Sequence, residues 1–105
     1  MHLYSSSAYR DQMGFNINEG TTEWLCRLVI AEQSLGFVRT NYQTQYNSVV
    51  KMIAKGGQAD VMAAYFNGNI AGLRAAVDAA TSAGTFNQWV TFMQAGQYAQ
   101  ADALM

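Results

Sequence analysis

A chain of 105 residues, half of them hydrophobic, is long enough to bury one core and too short for two. Only 12% of positions are charged, about half the usual share, and the six Lys and Arg are scattered under a net charge of −1, which excludes a phosphate-tracking basic surface and disfavours nucleic acid as a partner. The single cysteine, Cys26, rules out an intramolecular disulfide and a cysteine-based zinc knuckle.

Residues 1–17 read as an irregular lead-in. Ser5, Ser6, Ser7 and Gly14 oppose regular structure, Tyr4, Tyr9, Met13, Phe15 and Ile17 are apolar anchors, and the alternation around Phe15 and Ile17 allows a short strand. Tyr4 and Tyr9, in this irregular stretch, are candidates for lining a cleft. The opening residues have neither the basic region nor the apolar run of a signal peptide, and no window is long and apolar enough for a membrane span. The expectation is a soluble protein, cytoplasmic or exported without a cleavable signal.

A helical domain is expected over 18–105. Asn18 is placed to cap a first helix running from about Glu19 to Leu35, with Trp24, Leu25, Leu28, Val29 and Ile30 making a broad apolar surface, and Gly36 ending it. Thr40-Asn41-Tyr42-Gln43 has capping-box form ahead of a second helix, on which Tyr42, Tyr46, Val49, Val50 and Ile53 keep a helical period; Gly56-Gly57 stops it. A third helix spans about Ala59 to Phe66, with Val61, Met62, Tyr65 and Phe66 inward, and ends at Asn67-Gly68. Asn69 caps a fourth, lined by Ile70, Leu73, Ala76, Val77 and Ala80 and closed by Gly84. A second capping box, Thr85-Phe86-Asn87-Gln88, opens a fifth helix carrying Phe86, Trp89, Val90 and Met93, and a sixth segment covers about Gln97 to Leu104. These elements define an all-α chain, a compact bundle of about five to six helices in a single domain.

Chemistry concentrates in Asn18-Glu19-Gly20-Thr21-Thr22-Glu23, where two carboxylates stand four apart. On a helix they share a face and repel, so an offset is required: the helix dipole, Arg27 one turn beyond Glu23, or a bound cation. The run is also poor in helix propensity. Gly20 costs about 1 kcal/mol against alanine and Thr21-Thr22 is β-branched, which points to a local demand such as close backbone approach at Gly20. Cys26 reads as a packed apolar thiol, and no arrangement suits a nucleophilic triad.

The same hexapeptide resembles the Asn-Glu-x-x-x-Asp/Glu glutamate helix of the gluzincin (thermolysin-like) zinc metallopeptidases. More closely, Ile17 to Arg27, with Trp24 and Arg27 as the aromatic and basic residues that follow, resembles the second half of metallopeptidase domains of bacterial toxins and secreted effectors. Ala64-Tyr65-Phe66-Asn67-Gly68 is similar to a helix end downstream in those domains, and the likeness covers Phe15 to Leu73. The resemblance implies a hydrolase fragment in which Glu19 is the third protein ligand of a zinc ion and Glu23 orients a ligating histidine through its ring N–H. The His-Glu-x-x-His helix that would supply two ligands and the base has no counterpart: the one histidine is His2, at the start of the chain. No catalytic residue is therefore assigned within this chain, and zinc is expected only if histidines come from a complementary upstream half. The implied partners are that half or a second copy, and a peptide substrate once the site is complete. The competing expectation is a non-catalytic helical interaction module in which the glutamates only solvate and cap.

Overall fold

Tyr9, Met13 and Ile17 recur every four residues and all three are buried, the signature of one helical face in the stretch read as irregular. The computed structural model describes the backbone of residues 5–33 and 42–105 and the side chains of residues 5–28 and 42–105. Within it the first helix, α1, runs Ser7–Gln33 and contains a break at Gly14 (φ 84°, ψ 174°). The irregular lead-in assigned to residues 1–17 is thus helical from Ser7, and no strand forms at Phe15–Ile17. The serine run acts as a cap. Ser6 Oγ accepts the Tyr9 N–H (3.2 Å) and donates to the Ala64 carbonyl (3.2 Å), while the Ser6 N–H donates to the Tyr65 carbonyl (2.6 Å). The helix start is thereby tied to the end of a later helix.

Five more helices follow among the described residues: α2 (Gln43–Gly56), α3 (Gln58–Asn67), α4 (Ile70–Ala80), α5 (Thr85–Gln94) and α6 (Tyr98–Ala103). No strand occurs in the described residues, and the chain is an all-α bundle as its periodicity predicts. A radius of gyration of 13.0 Å is that of a single folded body of this length, about 13 Å for 100 residues. The expected end of the first helix at Leu35-Gly36, and the Thr40-Asn41 half of the capping box, lie outside the described residues. Tyr42, at the N-cap of α2, makes no side-chain cap bond.

Links between helices are short because glycine takes the backbone conformations they need. Gly57 (φ 92°) joins α2 to α3, and Gly68 (φ 76°) closes α3 in the left-handed region. Asn69 caps α4 as expected, accepting the Gly72 N–H at 3.2 Å. The capping box predicted at Thr85 does not form. Its work is done by Asp78 on α4, whose carboxylate accepts the N–H of Gly84 (3.2 Å) and Phe86 (2.9 Å). A carboxylate from the preceding helix supplies charge as well as acceptors at the positive end of α5. Asp78→Ala is accordingly expected to cost about 1–2 kcal/mol in urea unfolding, with Asp78→Asn recovering a large part of it.

Trp89, Phe86, Tyr9, Tyr65, Met13, Ile17, Met52, Leu73 and Met93 are the largest fully buried side chains. They come from α1 to α5, so the segment before Gly14 belongs to the same core as the rest. Of the residues expected to pack inward, Phe15, Val50, Phe66 and Ala80 are exposed. Phe66 is 46% exposed and lies edge-on to Tyr65, and Val50 sits at the surface of α2.

Candidate functional site

Asn18 to Glu23 occupies the middle of α1 rather than its start. The helix is already running when it reaches Asn18, so Asn18 caps nothing and Glu19 does not sit in a first turn. The Asn18 Oδ1 is buried and has no hydrogen-bond partner among the described residues. An orphaned acceptor of this kind costs about 1–3 kcal/mol and calls for a donor.

Each residue after Glu19 is committed to a different neighbour. At Gly20 the backbone of α2 comes so close that a Cβ would stand 2.6 Å from the Gln45 carbonyl oxygen, the close approach expected at this glycine. Thr21 Oγ1 donates to the Ile17 carbonyl (2.8 Å) and, having one proton, must accept from the Tyr9 hydroxyl at 2.7 Å. Thr22 Oγ1 shares a hydrogen bond with the Tyr65 hydroxyl of α3 at 2.7 Å. The two tyrosine rings meet edge to face with centroids 5.3 Å apart. The Glu23 side chain is fully buried and pairs with Arg27 Nε at 3.4 Å. Arg27 in turn lies over the Tyr46 ring, 3.7 Å from its centroid, and donates to Gln43 Oε1 at 2.7 Å.

Of the offsets for the acid pair, the structure therefore contains the Arg27 ion pair, formed within one helix and braced by α2. Glu19 is only half-buried. The two glutamates share a face, but one is sealed beneath it and the other reaches the surface. Among the described residues no group of three or more His, Cys, Asp or Glu side chains is gathered for a metal ion, and His2 lies outside them. These residues alone do not make a zinc set. What they offer is one half-exposed carboxylate beside one orphaned carbonyl oxygen.

Tyr9 is corrected from a cleft-lining residue to a core one, since it is fully buried. Tyr4 lies outside the described residues. Cys26 is buried, as a packed thiol should be. A surface depression of about 270 Å³ on α5, lined by Asn87, Gln88, Thr91 and Phe92, contains none of the residues singled out from the sequence. Sequence reading missed the hydroxyl pairs and Tyr46. Their one local signal was the unfavourable Thr21-Thr22, whose hydroxyls find partners that lie 12 and 43 residues away.

Burial is the leading cause that raises the pKa of both Tyr9 and Tyr65. For Tyr9 the geometry adds a reason: as a phenolate it would need the Thr21 proton, which the Ile17 carbonyl already holds. A tyrosine whose folded pKa is raised contributes its stability fully below the unfolded value of about 10 and loses it as pH climbs toward the folded value. Unfolding free energy is expected to fall above about pH 10 by roughly 1 kcal/mol per pH unit for Tyr9, and Tyr9→Phe should flatten that slope in urea titrations.

Comparison with known proteins returns no matching family model, no matching curated protein and no matching solved structure. Among the described residues no helix is long and apolar enough to cross a membrane.

Proposed function

We propose that this chain is the glutamate-helix half of a zinc metallopeptidase-like domain of the kind carried by bacterial toxins and secreted effectors. In this reading Glu19 is the third protein ligand, and a complementary upstream polypeptide brings a His-Glu-x-x-His helix with two histidines and the general base. The observation that carries the reading is the edge formed by Asn18 and Glu19: a buried, unpartnered amide oxygen next to a half-exposed carboxylate, on a helix held on its other sides. Such an edge suits a polar helix bringing donors and metal. Carboxylate oxygen is an accepted zinc ligand, so Glu19 fits the role chemically.

A bound zinc ion would activate water and polarise the scissile peptide carbonyl. This chain's own part is positional. Glu19 offers a half-buried carboxylate. Glu23 stands one turn along the same helix but is sealed and paired with Arg27, so it would accept the ring N–H of a ligating histidine only if docking of the upstream segment uncovers it. Alone, the chain is expected to be inactive because the base and both histidines are absent.

The test is zinc titration by calorimetry of the chain alone and mixed with an upstream His-Glu-x-x-His polypeptide. Tight binding is expected in the mixture only, and Glu19→Ala should abolish it. Unchanged binding in Glu19→Ala and Glu23→Ala would overturn the reading.

The Glu23–Arg27–Tyr46 contact favours a second reading, since it accounts for one acid of the pair without metal. There the domain is a non-catalytic helical interaction module, and Phe15 (65% exposed) and Phe66 are candidates for contact with a partner or a second copy. Absence of zinc binding in the mixture would select it.

A further inference from the structure

The Glu19 charge acts on Tyr65 of α3, and the neighbours of Glu19 set the rotation of the helix that carries it. At about 100° per residue, Thr22 lies some 60° to one side of Glu19 around the helix, Glu23 some 40° to the other, and Thr21 nearly opposite. Thr22 is bonded to Tyr65 on α3 at 2.7 Å, Glu23 to Arg27, which stacks on Tyr46 of α2, and Thr21 to Tyr9 in the segment before Gly14 at 2.7 Å. Three anchors at different azimuths leave the helix no freedom to turn about its own axis. Gly20 removes the remaining slack by seating the helix directly on the α2 backbone.

We propose that Thr22 and Tyr65, with Thr21 and Tyr9 behind them, are positioning residues that fix the axial rotation of α1 and so the direction in which Glu19 leaves the surface. The claim rests on the reading of Glu19 as a ligand only for its use, not for its geometry. The scale of the effect follows from the lever arm. A carboxylate roughly 5 Å from the helix axis moves by about 0.9 Å when the helix turns about 10°. Ligand distances at a zinc site tolerate about 0.2 Å. A small rotation that leaves the fold intact would therefore disable the ligand. The two tyrosine rings, in edge-to-face contact at 5.3 Å, link the anchors so that neither hydroxyl pair can shift alone.

The experiment uses the full chain, metal-free, and reads the rotation of α1 about its axis by NMR residual dipolar couplings of its backbone amides in Thr22→Val, Tyr65→Phe and Thr22→Ser. A second arm measures zinc affinity of the same variants in the reconstituted mixture. Thr22→Val and Tyr65→Phe are expected to shift the phase of those couplings along α1 and to weaken zinc by about 10- to 100-fold with far-UV circular dichroism unchanged; Thr22→Ser should keep both readouts at wild type. Wild-type dipolar couplings along α1 in folded Tyr65→Phe or Thr22→Val would overturn the proposal. If Thr22→Val fails to fold, Tyr65→Phe and Tyr9→Phe, which keep the rings, decide it. If the wild-type mixture binds no zinc, the ligand reading fails while the couplings still decide the positioning role.

Discussion

Gly20→Ala is expected to destabilise the protein by about 2–3 kcal/mol, although alanine in a helix interior ordinarily gains about 1 kcal/mol over glycine. The new methyl group would stand 2.6 Å from the Gln45 carbonyl oxygen, 2.8 Å from its carbonyl carbon and 2.8 Å from Val49 Cγ2. Two of those atoms are backbone and cannot rotate aside. Relief requires α2 to move off α1 as a body, which drags Gln43 and Tyr46 away from Arg27 and weakens the brace on Glu23. Urea unfolding followed by circular dichroism measures the effect as a lower midpoint at unchanged slope. A midpoint equal to or above wild type would show that the two helices do not meet here.

Arg27→Ala is expected to cost about 3 kcal/mol. The Glu23 carboxylate is sealed from solvent, and removing a cation from a buried pair leaves charge poorly compensated. The same change deletes the stacking of the guanidinium on Tyr46 and the 2.7 Å bond to Gln43. Arg27→Lys should recover only part of the loss, because an ammonium has neither the flat face nor the fork of donors. The double change Glu23→Leu with Arg27→Met should cost less than Arg27→Ala alone, since it removes both charges and keeps volume. Equal losses for the single and double variants would mean that packing, and not charge, sets the effect.

The sequence told most where the cause was local. Apolar residues at helical spacing marked α2 to α5; Gly57 and Gly68 marked their ends; Asn69 marked a cap. Arg27 was legible as a partner for Glu23 because the two are four apart on one helix. Gly20 betrayed a close approach by its poor propensity. Failures came where a distant residue replaced a local one. Ser6 caps α1 while bonded to the end of α3, so a serine run that looked like a loop became a helix start. Asp78 took the role read into Thr85. Asn18 looked like a cap only because the buried face of Tyr9, Met13 and Ile17, split by Gly14, was not recognised as helical. The partners of Thr21 and Thr22 depend on how α1 and α3 cross, which no spacing along one segment encodes.

The break at Gly14 has a consequence for the order in which the molecule is made. Its loosened backbone is closed by residues from the far end of the sequence: Gln94 Nε2 donates to the Gln12 carbonyl at 3.1 Å, and Asn16 Nδ2 donates to the Met93 carbonyl at 2.8 Å. Gln94 reaches a carbonyl beside the bend, and Asn16 adds a second donor to the Met93 carbonyl, which also accepts the Gly96 N–H at 3.1 Å. Contacts spanning 77 and 82 residues form late, because the loop between them must be ordered first. On the ribosome, residues 12–16 therefore wait for α5 to emerge. Until then the two sides of the bend are joined by the Tyr9–Thr21 hydrogen bond without the two contacts from α5. A bend near the start of the chain is thus finished by residues near its end.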